Sequence, residues 1–206
     1  MLNRILSLLI GYAFGNFITA EILIRKMTGQ SPYGYGTHNP GMANVMAHCG
    51  FAYGILVLAG DLLKTAAACL LAYFLFKNDP GPVAVLYAGT GAVLGHNFPF
   101  WKNFRGGLGV ACTCMAVFCF SPLWGLLADA GGMLVVFATQ YLPLGAVAIP
   151  ALFMIPAFVF YGTEAGMLAL FLTLLMLNRH WPGVTAVIRG TAAKTDVLGR
   201  IRKLFI

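Results

Sequence analysis

Apolar residues run along this chain in long blocks, without the short periodic beat of a half-buried strand or surface helix. The blocks cover residues 5–20, 51–76, 83–94, 110–127, 133–160 and 165–177. A helix needs about 20 residues at 1.5 Å each to cross a bilayer core, and most blocks approach that length. The block at 83–94 is short alone but extends through Phe98. The block at 133–160 is long for one span and is interrupted by Thr139, Gln140 and Pro143. The pattern predicts an all-α integral membrane protein, with residues 1–206 forming a single polytopic membrane domain.

Composition agrees with the pattern and charge settles the number of segments. Of 206 residues, 60% are hydrophobic and 9% charged, against about 25% charged in a soluble domain. Thirteen Lys/Arg and six Asp/Glu cannot coat a globule of this size. This excludes a soluble enzyme, a disordered chain and a nucleic-acid binder that relies on a dense basic surface. Basic residues favour cytoplasmic loops. With seven transmembrane segments and the N-terminus outside, ten of the thirteen fall in loops 25–50 and 96–109 and in a basic cytoplasmic tail, 179–206. Arg4 and Lys77 are outside and Lys64 lies within a helix. Six segments would send the tail outside. The seven-segment count makes the fifth segment, near residues 133–141, short or half-length, and leaves the C-terminus cytoplasmic.

Arg4 ahead of an apolar block has the look of a secretory leader, but Ile18, Thr19 and Ala20 do not supply the small-residue pair of a cleavage site. The block is read as the first membrane helix. The five cysteines show no CxxC spacing and fall mostly in apolar blocks, as small core residues do.

Polar chemistry gathers in three stretches: SPYGYGTHNPGMANVMAHCG (31–50), GHNFPFWKNFRGGLGVACT (95–113) and NRHWPG (178–183). They hold all four histidines and share the cytoplasmic side. A transporter would place its polar groups at the midplane on broken helices; a one-sided cluster suits a site open to the cytoplasm or the lipid interface. Thr37, His38, Asn39 and Gly41 could present side chains and backbone N–H groups to an anion, or simply form a tight turn. Gly106, Gly107 and Gly109 precede a helix whose unpaired N–H groups suit a phosphate, with Lys102 and Arg105 nearby; close packing at glycine is the alternative. His96 and Asn97 end the third block, and His96 can serve as an interfacial hydrogen-bonder or in proton transfer. No two histidines lie at i, i+3 or i, i+4, so no metal is expected. Asp61 and Lys64 are expected to form a structural pair on one helix face, because either charge alone near the bilayer centre costs about 2.5–3.5 kcal/mol. The C-terminal VLGRIRKLFI alternates apolar and basic residues, as an element lying on an anionic leaflet would.

In order and spacing these stretches resemble the bacterial acyl-phosphate:glycerol-3-phosphate acyltransferases, seven-helix enzymes of the inner membrane. GHNFPFWKNFRGGLGVACT is similar to that family's G-H-x-F-P-…-F-x-G-G-K-G-V-A-T loop without insertion or deletion. GTHNPGMANVMA resembles its G-S-G-N-x-G-A-T-N-V-x-R loop, with Asn39, Gly41, Asn44 and Val45 in register. Asp61 and Lys64 match a D-x-x-K, TQYLPL sits where the family has S-R-Y-x-S, and RHWPGV falls on R-H-x-x-N-I. The resemblance implies transfer of a fatty acyl group from acyl phosphate to the 1-hydroxyl of glycerol 3-phosphate, giving lysophosphatidic acid for phospholipid synthesis. It implies no cofactor, no nucleic acid, and the bilayer and two substrates as partners. Substrate contacts would come from Thr37, His38, Asn39, Gly41, Asn44, Asn97, Lys102, Arg105, Gly106, Gly107, Gly109, Thr139 and Arg179. His96 and His180 are the base candidates by residue type.

The chain departs from the family pattern at five places: Leu108 replaces the loop Lys, Ala47 the Arg, Thr37 the Ser, Gly183 the tail Asn and Thr139 the Ser of S-R-Y. Without the Lys and the Arg, two charge-assisted bonds to phosphate are missing. At about 1.5–3 kcal/mol each, they amount to roughly 3–6 kcal/mol. Two alternatives therefore stand beside the acyltransferase: the same scaffold with another acceptor or donor, and a non-catalytic lipid-binding protein.

Overall fold

A computed structural model describes residues 1–34 and 36–195. Every regular element among the described residues is helical: α1 (Leu2–Gly15), α2 (Thr19–Thr28), α3 (Met42–Cys49), α4 (Phe51–Phe76), α5 (Val83–Asn97), α6 (Val110–Phe120), α7 (Pro122–Thr139) and α8 (Leu142–Ile188), with 3-10 turns at Pro32–Gly34 and Phe100–Lys102. Among the described residues, four stretches are long and apolar enough to cross a membrane: Leu2–Thr28, Phe51–Phe76, Pro122–Thr139 and Leu142–Ile188. The last is two helices in succession, because Gly162 breaks it at φ 85° and ψ 179°.

One expectation is corrected. The block at 110–127 is not one helix. It stops at Phe120 and restarts at Pro122, whose ring presets φ for a first helical position and whose missing N–H is no loss there. The short segment is therefore α6, and the expected short helix at 133–141 is instead the C-terminal half of the 18-residue α7. The stretch expected as a basic tail begins in a helix. Residues 179–188 continue α8, so Arg179 and His180 lie within a helix. That helix stops in a Schellman turn: Gly190 takes φ 69°, its N–H donates to Val187 O, and Thr191 N–H donates to Ala186 O. The amphipathic element expected over 197–206 lies outside the described residues. The interruption near Pro143 is present, with Gln140 at φ 64° separating α7 from α8.

The chain forms two compact units, Met1–Pro122 and Leu123 onward. In the first, α5 is central, with twelve of its fifteen residues buried, and α1, α4 and α6 pack on it. The contact with α1 is backbone to backbone. A Cβ on Gly11 or Gly15 would strike the carbonyl of Ala88 or Ala92, and one on Gly91 or Gly95 that of Leu8 or Tyr12. Small residues permit this approach between membrane helices, where van der Waals packing and interhelical hydrogen bonds drive association. At one end of the unit Asn3 Nδ2 donates to Asp79 O and Oδ2, both at 3.0 Å. At the other end lie the polar loops 29–41 and 98–109.

In the second unit, α7 and the first half of α8 meet at Gly132 and Gly145, where a Cβ on either would crowd the other's carbonyl. Trp124 stacks on Phe160 with centroids 5.0 Å apart.

Candidate functional site

The close contact of α1 with α5 brings Asn16, at the end of α1, beside the loop that follows α5. Asn16 Oδ1 accepts from Phe100 N (3.0 Å) and Asn16 O from Trp101 Nε1 (2.9 Å), while Tyr12 Oη donates to Phe98 O (2.8 Å). The loop then folds back under the end of α5: Gly106 N donates to Asn97 O and Gly107 N to His96 O, each at 3.0 Å. Glycine is required at three points. A Cβ on Gly106 would meet His96 O, one on Gly107 the His96 ring at Nε2, and one on Gly109, which has φ 84°, the Asn97 amide. Gly109 caps α6, so the N–H groups of that helix's first turn emerge here without intrahelical partners. Asn97 is fully buried, and neither atom of its amide has a hydrogen-bond partner among the described residues.

The loop between α2 and α3 is built around Asn44. Its Nδ2 donates to Pro32 O (3.2 Å) and Asn39 O (3.0 Å), and its Oδ1 accepts from Thr37 N (3.0 Å). Asn44 thus shapes the loop from beneath, while Thr37 and His38 are exposed. Gly41 caps α3, with its N–H on Asn39 O. His38 and His48 both place Nδ1 2.9 Å from a backbone carbonyl, of Tyr33 and Asn44 respectively. A carbonyl only accepts, so Nδ1 carries the proton in both rings. The His48 ring lies over Gly36, one position along the chain from Ala47.

Glu21 ties the two loops together. Its buried carboxylate pairs with Arg25 one turn along α2 and with Lys102 from the α5–α6 loop, and accepts from Ser31 Oγ at 2.7 Å. The Lys102 ammonium also lies 5.0 Å from the Trp101 ring centroid and 5.7 Å from that of Tyr33. Tyr33 Oη donates to Arg105 O at 2.7 Å. Lys102 is thereby committed to a carboxylate, whereas Arg105 carries an exposed side chain.

A second buried cluster lies behind the glycine turn. Lys64 Nζ is 2.7 Å from Asp61 Oδ1, 2.7 Å from Phe17 O and 2.9 Å from His96 Nδ1. Thr19 Oγ1 donates to Asp61 Oδ1 at 3.3 Å. Ligand-type atoms of Asp61, His96 and Cys112 fall within 4.8 Å of one another, but the Lys64 ammonium already uses the carboxylate and imidazole atoms a metal ion would take.

The structure therefore brings Thr37, His38, Asn39, Gly41, Asn44, His96, Asn97, Lys102, Arg105 and the three glycines to one end of the first unit. Thr139, Arg179 and His180 belong to the second. There Thr139 closes the end of α7, its Oγ1 donating to Val135 O (2.7 Å) and accepting from Tyr141 N (3.2 Å). His180 is buried, and its Nε2 has no hydrogen-bond partner among the described residues. Sequence reasoning missed Asn16, Glu21 and Tyr33. A carboxylate four residues before Arg25 was the available signal for Glu21; nothing local marks Asn16 or Tyr33.

Known proteins place this arrangement in context. The family model for glycerol-3-phosphate acyltransferase matches residues 5–190. Glycerol-3-phosphate acyltransferase 1 of Lactobacillus acidophilus is 36% identical over 97% of this chain and 96% of its own length. The glycerol-3-phosphate acyltransferase of Thermoanaerobacter pseudethanolicus is 31% identical over 92% of this chain and 94% of its own. The crystal structure of PlsY (YgiH), an integral membrane glycerol 3-phosphate acyltransferase, in its glycerol 3-phosphate form superposes with a TM-score of 0.82 at 25% identity, covering 96% of this chain and 98% of that one. With its membrane-length helices and its polar loops gathered around a glycine turn, the chain belongs to the glycerol-3-phosphate acyltransferase family.

Proposed function

We propose that this chain transfers a fatty acyl group from acyl phosphate to the 1-hydroxyl of glycerol 3-phosphate, releasing lysophosphatidic acid and phosphate. It does so as a seven-segment protein of the bacterial inner membrane, with its active loops cytoplasmic. The observation that carries the reading is the buried Asn97 amide, without a hydrogen-bond partner among the described residues, beside Gly109, where the N-terminus of α6 emerges from the glycine turn. Converging N–H groups and a carboxamide form a polar cradle for a phosphate.

Acyl phosphate arrives activated, with an electrophilic carbonyl and phosphate as leaving group, so no covalent acyl-enzyme is needed. The protein's task is to orient the hydroxyl and to stabilise the oxyanion as the tetrahedral intermediate forms. The first loop, through Thr37, His38, Asn39 and Gly41, and the second, through Gly106, Gly107, Gly109 and Arg105, hold the two phosphates. The 1-hydroxyl attacks the carbonyl, the C–O bond to the donor phosphate breaks, and the hydroxyl proton leaves with the released phosphate. Lys102 acts through Glu21 to hold the loops together.

The test is direct. Purified protein in lipid nanodiscs is given palmitoyl phosphate and glycerol 3-phosphate, and phosphate and lysophosphatidic acid are measured. Phosphate release that depends on glycerol 3-phosphate is expected, and a folded protein that makes no lysophosphatidic acid overturns the reading. Ala47 and Leu108, where the family carries cations, favour one second reading, in which a different acceptor is used; it predicts turnover with another hydroxyl compound and none with glycerol 3-phosphate.

A further inference from the structure

We propose that Lys64, held by Asp61, makes His96 a permanent Nε2–H donor beneath the 106–109 turn, so that His96 is a positioning residue and not the base of the reaction. The inference rests on the proposed acyl transfer for its kinetic consequences, but its chemistry follows from donor counting alone. An ammonium has three N–H bonds and no lone pair. Lys64 Nζ has three acceptors at hydrogen-bond distance: Phe17 O at 2.7 Å, Asp61 Oδ1 at 2.7 Å and His96 Nδ1 at 2.9 Å. His96 Nδ1 must therefore supply a lone pair. The competing arrangement, with a proton on Nδ1 donated to Asp61, meets a separation of 3.6 Å, which is too long for a hydrogen bond. All three side chains are about 95% buried, at 5%, 6% and 4% exposed for Lys64, Asp61 and His96, so water is not a ready substitute.

With Nδ1 bare, the ring proton of neutral His96 sits on Nε2, the nitrogen that a Cβ on Gly107 would strike. The ring also anchors the turn through its own backbone, since His96 O accepts Gly107 N–H at 3.0 Å. His96 thus supports the turn from beneath by both its carbonyl and its imidazole edge. His38 and His48 are wired the opposite way, each donating its Nδ1 proton to a backbone carbonyl. One buried Lys–Asp pair accounts for the difference. The pair's expense in the apolar interior, where breaking it is strongly unfavourable, thereby serves to hold one tautomer.

The test uses the full chain in lipid nanodiscs with 15N-labelled histidine. The His96 resonance, assigned by its absence in His96→Gln, is expected to show a protonated Nε2 and a bare Nδ1. In the double variant Asp61→Asn/Lys64→Met, which leaves no lone buried charge, that preference is expected to disappear. Kinetically, His96→Gln places an amide donor where Nε2–H was and is expected to keep kcat within about threefold, while His96→Ala loses about tenfold to hundredfold in kcat/KM, mainly through KM. A proton found on Nδ1 overturns the proposal, as does His96→Gln with intact fold but kcat down a thousandfold. Failure of the acyltransferase reading would appear as inactive wild-type protein with the tautomer still in place. Should His96→Gln not fold, the wild-type spectrum, assigned by eliminating the other three histidines, decides alone.

Discussion

Glu21 shows how much one side chain does in a chain so poor in charge. Its carboxylate, 2% exposed, gathers Lys102, Arg25 and Ser31 from three segments. Glu21→Ala leaves Lys102 beside two aromatic rings without a counter-ion, and a loss of about 1–3 kcal/mol is expected, read as a lower thermal midpoint in detergent. Arg25→Ala is expected to cost much less, because that side chain is 56% exposed and its pairing is screened by solvent. At position 108 the expectation reverses. Leu108→Lys adds a cation at the mouth of α6 and should lower KM for acyl phosphate about tenfold to hundredfold; an unchanged KM would mean the phosphate is held elsewhere. At this scale the sequence is legible where partners are near neighbours. Asp61 and Lys64, three apart, could be paired on paper. Glu21 and Lys102, 81 positions apart, could not, since only the fold brings them together.

Among elements, the α1–α5 contact governs the site because the loop that bears the glycine turn hangs from the end of α1 through Asn16. Gly91→Leu drives a side chain into the backbone of α1 at Leu8 and is expected to abolish the monodisperse peak in size-exclusion chromatography. Gly34→Ala, with nothing within 4 Å of the added carbon, should stay within about 0.5 kcal/mol of the wild type and retain activity. The glycines at 11/15 and at 91/95 form the seam, and the sequence reading did not single them out. The break between α6 and α7 was not read, because Ser121 and Pro122 lie within a block whose average hydropathy hides them. Hydropathy measures side-chain transfer; the break is a matter of backbone hydrogen bonds, and proline starts a helix as readily as it ends one.

For the whole molecule, the sorting of thirteen cations gave an orientation that packing alone does not. The first unit has its N-terminus and Asp79 at one end and its polar loops at the other. In a cysteine-free background, Lys77→Cys and Gly34→Cys should react with an impermeant maleimide from opposite faces of oriented vesicles; labelling from the same face would refute the seven-segment orientation. The helical class and the clustering of polar loops were legible because bilayer thickness and charge placement act on stretches of sequence. The bounds of the short helix and the length of the last one were not, because they depend on turns of a few residues. The pairing of α1 with α5 also has a consequence for biosynthesis. The ribosome delivers α1 first, yet the carbonyls of Ala88 and Ala92 that receive its glycines reach the bilayer only after α2, α3 and α4 have been made. Until then the nascent chain carries a membrane helix with a bare glycine groove. A chain stalled before Val83 would present that groove to lipid, to an insertase or to a membrane protease, which makes it a natural signal of incomplete synthesis.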